Sequence, residues 1–272
     1  MDKTRDGEGR TVLVTGASAG IGKALANVFA EHGFGVVLTA RREDRLAAAA
    51  REIEERHRVR AQTVAADLAD PAARGRLFDE VSRRQIVVDA LVNNAGYGVA
   101  GKFARSDWAT HQTFLEVMVT AVAHLTHLFE PGMKGRGYGR ILNVSSLAGL
   151  MPGSAGHTLY AAAKAFLIKF SESLALEHAG DGVMVSALCP GFTYSEFHDV
   201  LGNRSLVSKL PSYLWMDADT VARQGYAAVM AGRVVCVPGA VNQAIASVTR
   251  LIPEPIALRI MRRQAKRIRV GD

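Results

Sequence analysis

Two side chains in this sequence are spaced to move a proton. Tyr160 and Lys164 stand four apart in L-Y-A-A-A-K, which on a helix puts them on one face about one turn apart. A tyrosine ordinarily titrates at about 10 and is a poor acid at neutral pH. A neighbouring ammonium favours the phenolate and lowers that value by about 1–3. The phenol then serves as proton donor to, or acceptor from, a substrate oxygen. Ser146 ends the run I-L-N-V-S-S, which reads as a buried strand, so its hydroxyl is placed to hold the same oxygen. Alone, a Y-x-x-x-K pair is common by chance; the elements around it give it meaning.

Those elements begin with a β-branched run at 11–15, T-V-L-V-T, followed by G-A-S-A-G-I-G at 16–22. Next comes a stretch with apolar residues at helical spacing, stopped by Gly33. Strand, glycine loop and helix together present a helix N-terminus to a phosphate. Gly16 permits a tight turn, and Gly20 and Gly22 allow close backbone approach. A second strand, 35–40, is followed by Arg41 and Arg42. At this place an acidic residue takes the adenosine ribose hydroxyls, whereas arginine accommodates a 2′-phosphate. Two guanidiniums therefore favour NADP(H) over NAD(H); the competing reading is a basic start to the helix 43–56.

A third strand, 61–66, runs into Asp67-Leu68, and a helix follows from Pro71 to about residue 84. A fourth strand, 87–92, leads to Asn93-Asn94-Ala95-Gly96. The remaining elements are a long helix over 107–130, a strand over 140–145, a helix over 159–178 and a strand over 183–189 capped by Pro190-Gly191. A helix over 217–230 and a last strand over 233–237 complete the sheet. Strands alternating with helices predict an α/β fold, a doubly wound parallel sheet of about seven strands with helices on both faces. Ligands bind beyond the carboxyl ends of such strands, where Gly16, Arg41, Asp67 and Asn94 fall. The irregular stretch 192–214 carries Phe192, Tyr194, Phe197, Leu201, Leu206 and Tyr213 and suits a substrate lid. The division is a polar tail (1–10), one catalytic domain (11–240) and a basic helical extension (241–272).

With these residues in hand, the chain resembles the short-chain dehydrogenase/reductase family over about residues 11–238. The resemblance rests on T-G-A-S-A-G-I-G at 15–22, D-L at Asp67, N-N-A-G at Asn93, the S…Y-x-x-x-K set of Ser146, Tyr160 and Lys164, and P-G at Pro190. It implies a single-domain Rossmann-like fold and an NAD(P)-dependent enzyme acting on a carbonyl or alcohol. The T-A-R-R ending of the second strand is similar to the NADP-preferring branch. By position, Gly16, Ser18, Ala19, Gly20 and Ile21 would line the pyrophosphate. Arg41 would take the 2′-phosphate with Arg42 as helper. Asp67 and Leu68 would flank the adenine, and Asn94, Ala95 and Gly96 the adenosine side. Residues after Pro190 and Gly191, including Thr193 and Ser195, would meet the nicotinamide carboxamide. Tyr160 would be the general acid, and Lys164 would lower its pKa and hold the nicotinamide ribose. Ser146 would orient the carbonyl, with Ser145 the alternative. NADPH/NADP+ is the expected cofactor, with NADH second.

One position departs from the family. The helix after the fourth strand commonly carries an asparagine that holds a proton-relay water; here V-M-V-T-A-V-A-H-L-T puts Met118 in that slot. A thioether cannot donate a hydrogen bond. The alternative to an active reductase is therefore an NADP(H)-binding regulator or scaffold with weak turnover.

Of the 272 residues, 49% are apolar and 22% charged, the mix of a globular protein with a large core. The charged opening, M-D-K-T-R-D-G-E-G-R, is a tail rather than a signal peptide. Residues 141–163 are uncharged, but Pro152 and three glycines argue for a turn-interrupted soluble segment. Cys189 and Cys236 lack C-x-x-C spacing and read as buried thiols of a reducing compartment, so a cytoplasmic protein is expected. His124 and His127 have no accompanying ligand, and no metal is expected. Both long helices, 107–130 and 159–178, are richer in apolar residues than one buried stripe needs, which suggests a homodimer or homotetramer through them. The net charge is +7, and 256–269 carries six basic residues and no acid. That segment reads as a basic amphipathic helix for an anionic membrane surface, or as a helix docked on the protein itself. No groove-reading motif accompanies the charge, so nucleic acid is not an expected partner.

Overall fold

Each central strand of the protein is a short run of apolar and β-branched residues, and successive side chains along it point to opposite faces. In this computed structural model, which describes residues 6–99, 101–153, 155–156, 158–195 and 211–267, that alternation builds two core layers. Val12, Val14, Val36 and Leu38 pack with Leu25, Phe29, Leu46 and Val229 on one face. Leu13, Val37 and Leu91 pack with Leu77, Leu125 and Phe129 on the other. Strands buried on both sides are what a parallel sheet requires.

The strands are β1 (Thr11–Thr15), β2 (Gly35–Ala40), β3 (Ala61–Ala65), β4 (Ala90–Asn93), β5 (Gly139–Val144), β6 (Val183–Leu188) and β9 (Val235–Cys236). They form one sheet in the order β3-β2-β1-β4-β5-β6-β9, every neighbouring pair parallel. The order reverses direction at β1, between β2 and β4, where a crevice opens at the carboxyl ends. Helices α1 (Gly20–Glu31), α2 (Glu43–His57), α3 (Pro71–Arg83), α6 (Thr158–Glu177) and α7 (Ala218–Met230) cover the faces. The doubly wound parallel fold is as the sequence implies.

Several boundaries differ from the sequence reading, each for a physical reason. The fourth strand starts at Ala90 because Asp89 acts as an end-piece: its carboxylate accepts from the Thr11 N–H (3.0 Å) while Val87 is exposed. The expected helix 107–130 is three pieces: α4 (Trp108–Leu115), a π turn (Glu116–Thr120) and α5 (Ala121–Gly135), which continues past Pro131. The stretch expected as a lid contributes one short strand, β7 (Phe192–Thr193), which pairs with β8 (Trp215–Met216) just beyond it. Its Phe197, Leu201 and Leu206 lie outside the described residues. Beyond β9, α8 (Ala240–Leu251) and α9 (Glu254–Arg267) form the helical extension; residues 268 and 269 lie outside the described part. Among the described residues no helix is long and apolar enough to cross a membrane.

Candidate active site

The glycine loop is shaped by contact. Gly16 sits at φ +65°, and a Cβ there would lie 2.8 Å from the Ala95 Cα. A Cβ on Gly22 would lie 2.4 Å from the Gly16 carbonyl oxygen. Asn94 braces the same turn, its Nδ2 donating to the carbonyls of Thr15 (2.9 Å) and Gly16 (3.3 Å). The Thr15 hydroxyl accepts from the N–H groups of Asn94 (2.9 Å) and Ala95 (3.0 Å). Helix α1 begins after Ala19 with no side-chain cap and no acid in its first turn. Its first N–H groups, which have no partner inside the helix, therefore face the crevice beside Ser18, Gly20 and Ile21.

At the end of β2, Arg42 reaches across the glycine loop, its Nη2 donating to the Ser18 Oγ at 3.0 Å, and Arg41 is exposed beside it. Asp67 is exposed and accepts from the Ala69 N–H (3.1 Å), while Leu68 is buried. The sequence reading missed Tyr97. Burial pushes its phenol above the ordinary value, and its ring stands edge-on to Phe114 (centroids 5.6 Å) in the cluster that holds Met118.

The three chemical residues come from two elements. Ser146 caps the short 3-10 turn Leu147–Gly149: its Oγ accepts from the Ala148 N–H (3.1 Å) and donates to the Pro190 carbonyl (3.5 Å). The Tyr160 hydroxyl on α6 hydrogen-bonds to Ser146. Lys164 is buried, its Nζ 5.7 Å from the Tyr160 ring centroid and donating to the Val144 carbonyl at 2.7 Å. The Ser145 hydroxyl is turned away from Tyr160 and donates to the Lys164 backbone carbonyl (2.7 Å). Gly149 presses on the same turn of α6, where a Cβ would lie 2.6 Å from the Lys164 carbonyl carbon.

The electrostatics run against the simple helical argument. Burial pushes the Tyr160 phenol up to about 12, with the Ser146 hydrogen bond pulling the other way. Burial also pulls the Lys164 ammonium down to about 8. Both groups are driven towards their neutral forms. Met118 lies in the π turn, buried, in a cluster with Phe114, Ala163 and Tyr160. A Cβ on Gly96 would sit 2.8 Å from the Met118 Sδ. The asparagine slot is thus filled by a thioether packed against the N-A-G turn.

The Pro190-Gly191 turn closes the far side. The Thr193 Oγ1 donates to the Gly191 carbonyl (3.2 Å) and the Ser195 Oγ to the Thr193 carbonyl (3.5 Å). Ser195 also reaches the N-terminus of α1: a Cβ on Gly20 would be 3.1 Å from the Ser195 Cβ. Asn242 of α8, which sequence reading did not single out, lies buried under the turn. A Cβ on Gly191 would meet the Asn242 Oδ1 at 2.5 Å, and the Asn242 Nδ2 donates to the Pro238 carbonyl (2.8 Å). An asparagine among the other polar residues of A-V-N-Q-A-I-A-S-V-T-R-L carries no signal of such a role. Phe192 and Tyr194 stand against Trp215 (ring centroids 5.4 and 4.8 Å), and Tyr213 is exposed. Cys189 and Cys236 are buried and form no disulfide. Among the described residues no group of three His, Cys, Asp or Glu side chains is placed to hold a metal ion.

This arrangement has close counterparts among known proteins. The family model for short chain dehydrogenase matches residues 10–204. Sulfoacetaldehyde reductase 2 of Chromohalobacter salexigens is 37% identical over 188 residues, covering 68% of this chain and 73% of the relative. A solved short-chain dehydrogenase from Sphingobium yanoikuyae in complex with NADPH superimposes with a TM-score of 0.78 at 29% identity, covering 90% of this chain and 96% of that one. A short chain dehydrogenase/reductase from Burkholderia phymatum in complex with NAD gives 0.81 at 26% identity, covering 94% and 96%.

Proposed function

The chain belongs to the short-chain dehydrogenase family, and from that premise we propose that it is an NADPH-dependent oxidoreductase interconverting a carbonyl and an alcohol on a mainly apolar substrate. The observation that carries this reading is the convergence of Ser146, Tyr160 and Lys164 at the carboxyl end of β5. Beside them lies a glycine loop with no room for side chains and an uncapped helix end. These features fit a dinucleotide: Gly16, Ser18, Ala19, Gly20 and Ile21 would hold its pyrophosphate and Lys164 its nicotinamide ribose. When bound, it supplies a hydride.

The protein's own residues then manage the oxygen. Ser146 orients the carbonyl. Tyr160 gives that oxygen a proton in the reductive direction, and its phenol, held up by burial, carries that proton at neutral pH. Lys164 stabilises the charge left on the tyrosine while it keeps its own proton. Asn94, Ala95, Gly96, Asp67, Leu68, Thr193 and Ser195 complete the cofactor cleft.

Because dehydrogenases of this fold occur with NADPH and with NAD, the choice of cofactor rests on Arg41 and Arg42. Two guanidiniums stand at the end of β2, one already bonded to Ser18, where a carboxylate would repel a 2′-phosphate. Titrating NADPH and NADH into wild type and Arg41→Ala tests this. Loss of a charged hydrogen bond of ~1.5–3 kcal/mol should weaken NADPH by roughly tenfold or more and leave NADH unchanged. Equal losses for both would contradict it.

Met118 favours a second reading, a cofactor-binding regulator with slow turnover. Met118→Asn separates the two. If the variant reduces ketones on the order of 10²-fold faster, wild-type turnover is held back by the missing relay; an unchanged rate leaves the enzyme reading standing with Met118 tolerated.

Two assembly features belong to the same proposal. Trp108 on α4 and Phe166 and Leu176 on α6 are exposed, with Phe166 stacked on Phe170, which supports a homodimer or homotetramer through these helices. Peripheral contact with an anionic membrane is supported by the extension, where Val248, Leu251, Ile256, Leu258 and Ile260 are exposed on helices that also carry the exposed Arg259 and Arg262.

A further inference from the structure

Helix α8 turns two faces to different surroundings. Its inner face reaches the segments that frame the site. Asn242 is buried under the Pro190-Gly191 turn, and its Nδ2 lies 3.5 Å from the Met216 Sδ. Two turns on, the Thr249 Oγ1 lies 3.4 Å from the Sδ of Met151, in the stretch that joins Ser146 to Tyr160. The helix also packs on the turn Ser212–Leu214. The tyrosines beside these contacts are open to solvent. Tyr213 is 68% exposed and Tyr194 54%, and Tyr194 is held by its N–H on the Met216 carbonyl (3.0 Å) and by its stack on Trp215.

The outer face of α8 is apolar. Val241, Ala244, Val248 and Leu251 are exposed and stand three, four and three apart, which on a helix makes one stripe. Leu251 at its end is 83% exposed. On α9, Ile256 and Ile260, four apart, are exposed as well. Residues 240–267 hold six lysines and arginines against one acid, Glu254, and Arg259 and Arg262 are exposed. A second copy laid on this surface would bring like charges together. An anionic lipid surface takes up both the stripe and the cations.

We propose that α8 and α9 seat the protein on an anionic lipid surface with the entrance to the site at that surface, and that the substrate is a ketone dissolved in the lipid, on a long chain or a fused-ring frame. This rests on the reductase and membrane-contact readings above and deepens them. The stripe and the site are joined by one helix of 12 residues, about 18 Å long. Lipid against its outer face therefore lies within a helix diameter of the three segments on its inner face. Tyr194 and Tyr213, each with an apolar ring and a polar tip, suit the level of the lipid headgroups. A ketone that passes from lipid directly into the site never exposes its apolar frame to water.

The test uses the full chain and its two tryptophans, Trp108 and Trp215. In Trp108→Phe the emission comes from Trp215 alone, beside Tyr194, and bromine on lipid acyl chains quenches only an indole close to it. Emission is read with brominated and unbrominated phosphatidylglycerol vesicles, and binding is followed by co-sedimentation. NADPH consumption is measured with 2-pentadecanone and a 3-keto steroid in the vesicles, and with 2-pentanone free in the buffer. Brominated vesicles should remove the larger part of the Trp215 emission. With Leu251→Asp and Ile256→Asp added, quenching should vanish. The ratio of vesicle-borne to soluble turnover should then fall at least about tenfold. That ratio cancels any general loss of activity, and thermal melting checks the fold. Co-sedimentation without quenching would place the entrance away from the lipid and overturn the proposal. So would 2-pentanone consumed as efficiently as the vesicle-borne ketones, or a wild-type dimer that ignores vesicles and that the two aspartates split. Quenching without consumption of any ketone would defeat the reductase reading and leave the docking. Consumption of ketones without vesicle binding would do the reverse.

Discussion

Lys164 is a cation that the fold holds out of water: it is buried, its ammonium donates to a single backbone carbonyl, and it titrates at about 8 instead of 10.5. Below about pH 8 both folded and unfolded chains carry the proton, and the folded state bears the full desolvation cost. Between about 8 and 10.5 the unfolded chain binds a proton that the folded chain has lost, so stability rises with pH across that window. The gain is ~3 kcal/mol. Urea titrations at a series of pH values should show wild type gaining on Lys164→Met by that amount; parallel curves would contradict the burial argument. Carbonyl reduction should move oppositely, falling as pH passes about 8 and the ammonium is lost. The identities of Ser146, Tyr160 and Lys164 were legible because their types and spacing recur with the glycine loop and N-N-A-G. Their charge states were not. Four-residue spacing argues for a lowered tyrosine, whereas burial by elements distant in sequence raises it. Asn242 was silent for a related reason: one polar residue among several on its helix gains its role only from what folds against it.

The elements hold this site with little slack. The 3-10 turn bearing Ser146 and the helix bearing Tyr160 and Lys164 meet at Gly149, where an added Cβ would stand 2.6 Å from backbone of α6. Backbone cannot rotate aside as a side chain can, so Gly149→Ala must push the two elements apart. Overpacking of this kind costs about 1–3 kcal/mol. A displacement of about 1 Å at the chemical groups costs on the order of 10²-fold in rate. Gly153, four residues on, has nothing within 4 Å of such a Cβ, and Gly153→Ala should change neither denaturation midpoint nor kcat. Equal behaviour of the two variants would refute the close-contact account. Strands and helices were legible here because apolar runs in a parallel sheet and helical periodicity are local signals. The π turn was not, since E-V-M-V-T reads as ordinary helix. The ladder of Phe192–Thr193 with Trp215–Met216 was also missed, because two-residue strands are below any pattern.

At the scale of the whole molecule, the largest group of exposed apolar side chains among the described residues lies on the C-terminal helices α8 and α9, with Phe166 and Leu176 exposed on α6. Under the proposed assembly, Phe166→Asp combined with Leu176→Asp should shift sedimentation velocity towards monomer; a wild type that already sediments as monomer, or an unchanged profile, would contradict a contact through α6. Leu251→Asp with Ile256→Asp should reduce co-sedimentation with phosphatidylglycerol vesicles several-fold and leave binding to phosphatidylcholine at its low level. Equal partitioning of wild type into both vesicles would remove the membrane contact. The sequence showed the basic charge of the extension, since charge is countable. It did not show that α8 lies under the Pro190-Gly191 turn through Asn242, a contact between segments about fifty residues apart.

The most direct test of the central claim follows NADPH absorbance with a ketone panel in wild type and Tyr160→Phe. The account predicts ketone-dependent NADPH consumption that NADH does not match and that disappears, by roughly 10²-fold or more, when the phenol is removed. Consumption that persists unchanged in Tyr160→Phe, or wild-type protein that fails to bind NADPH, would contradict it.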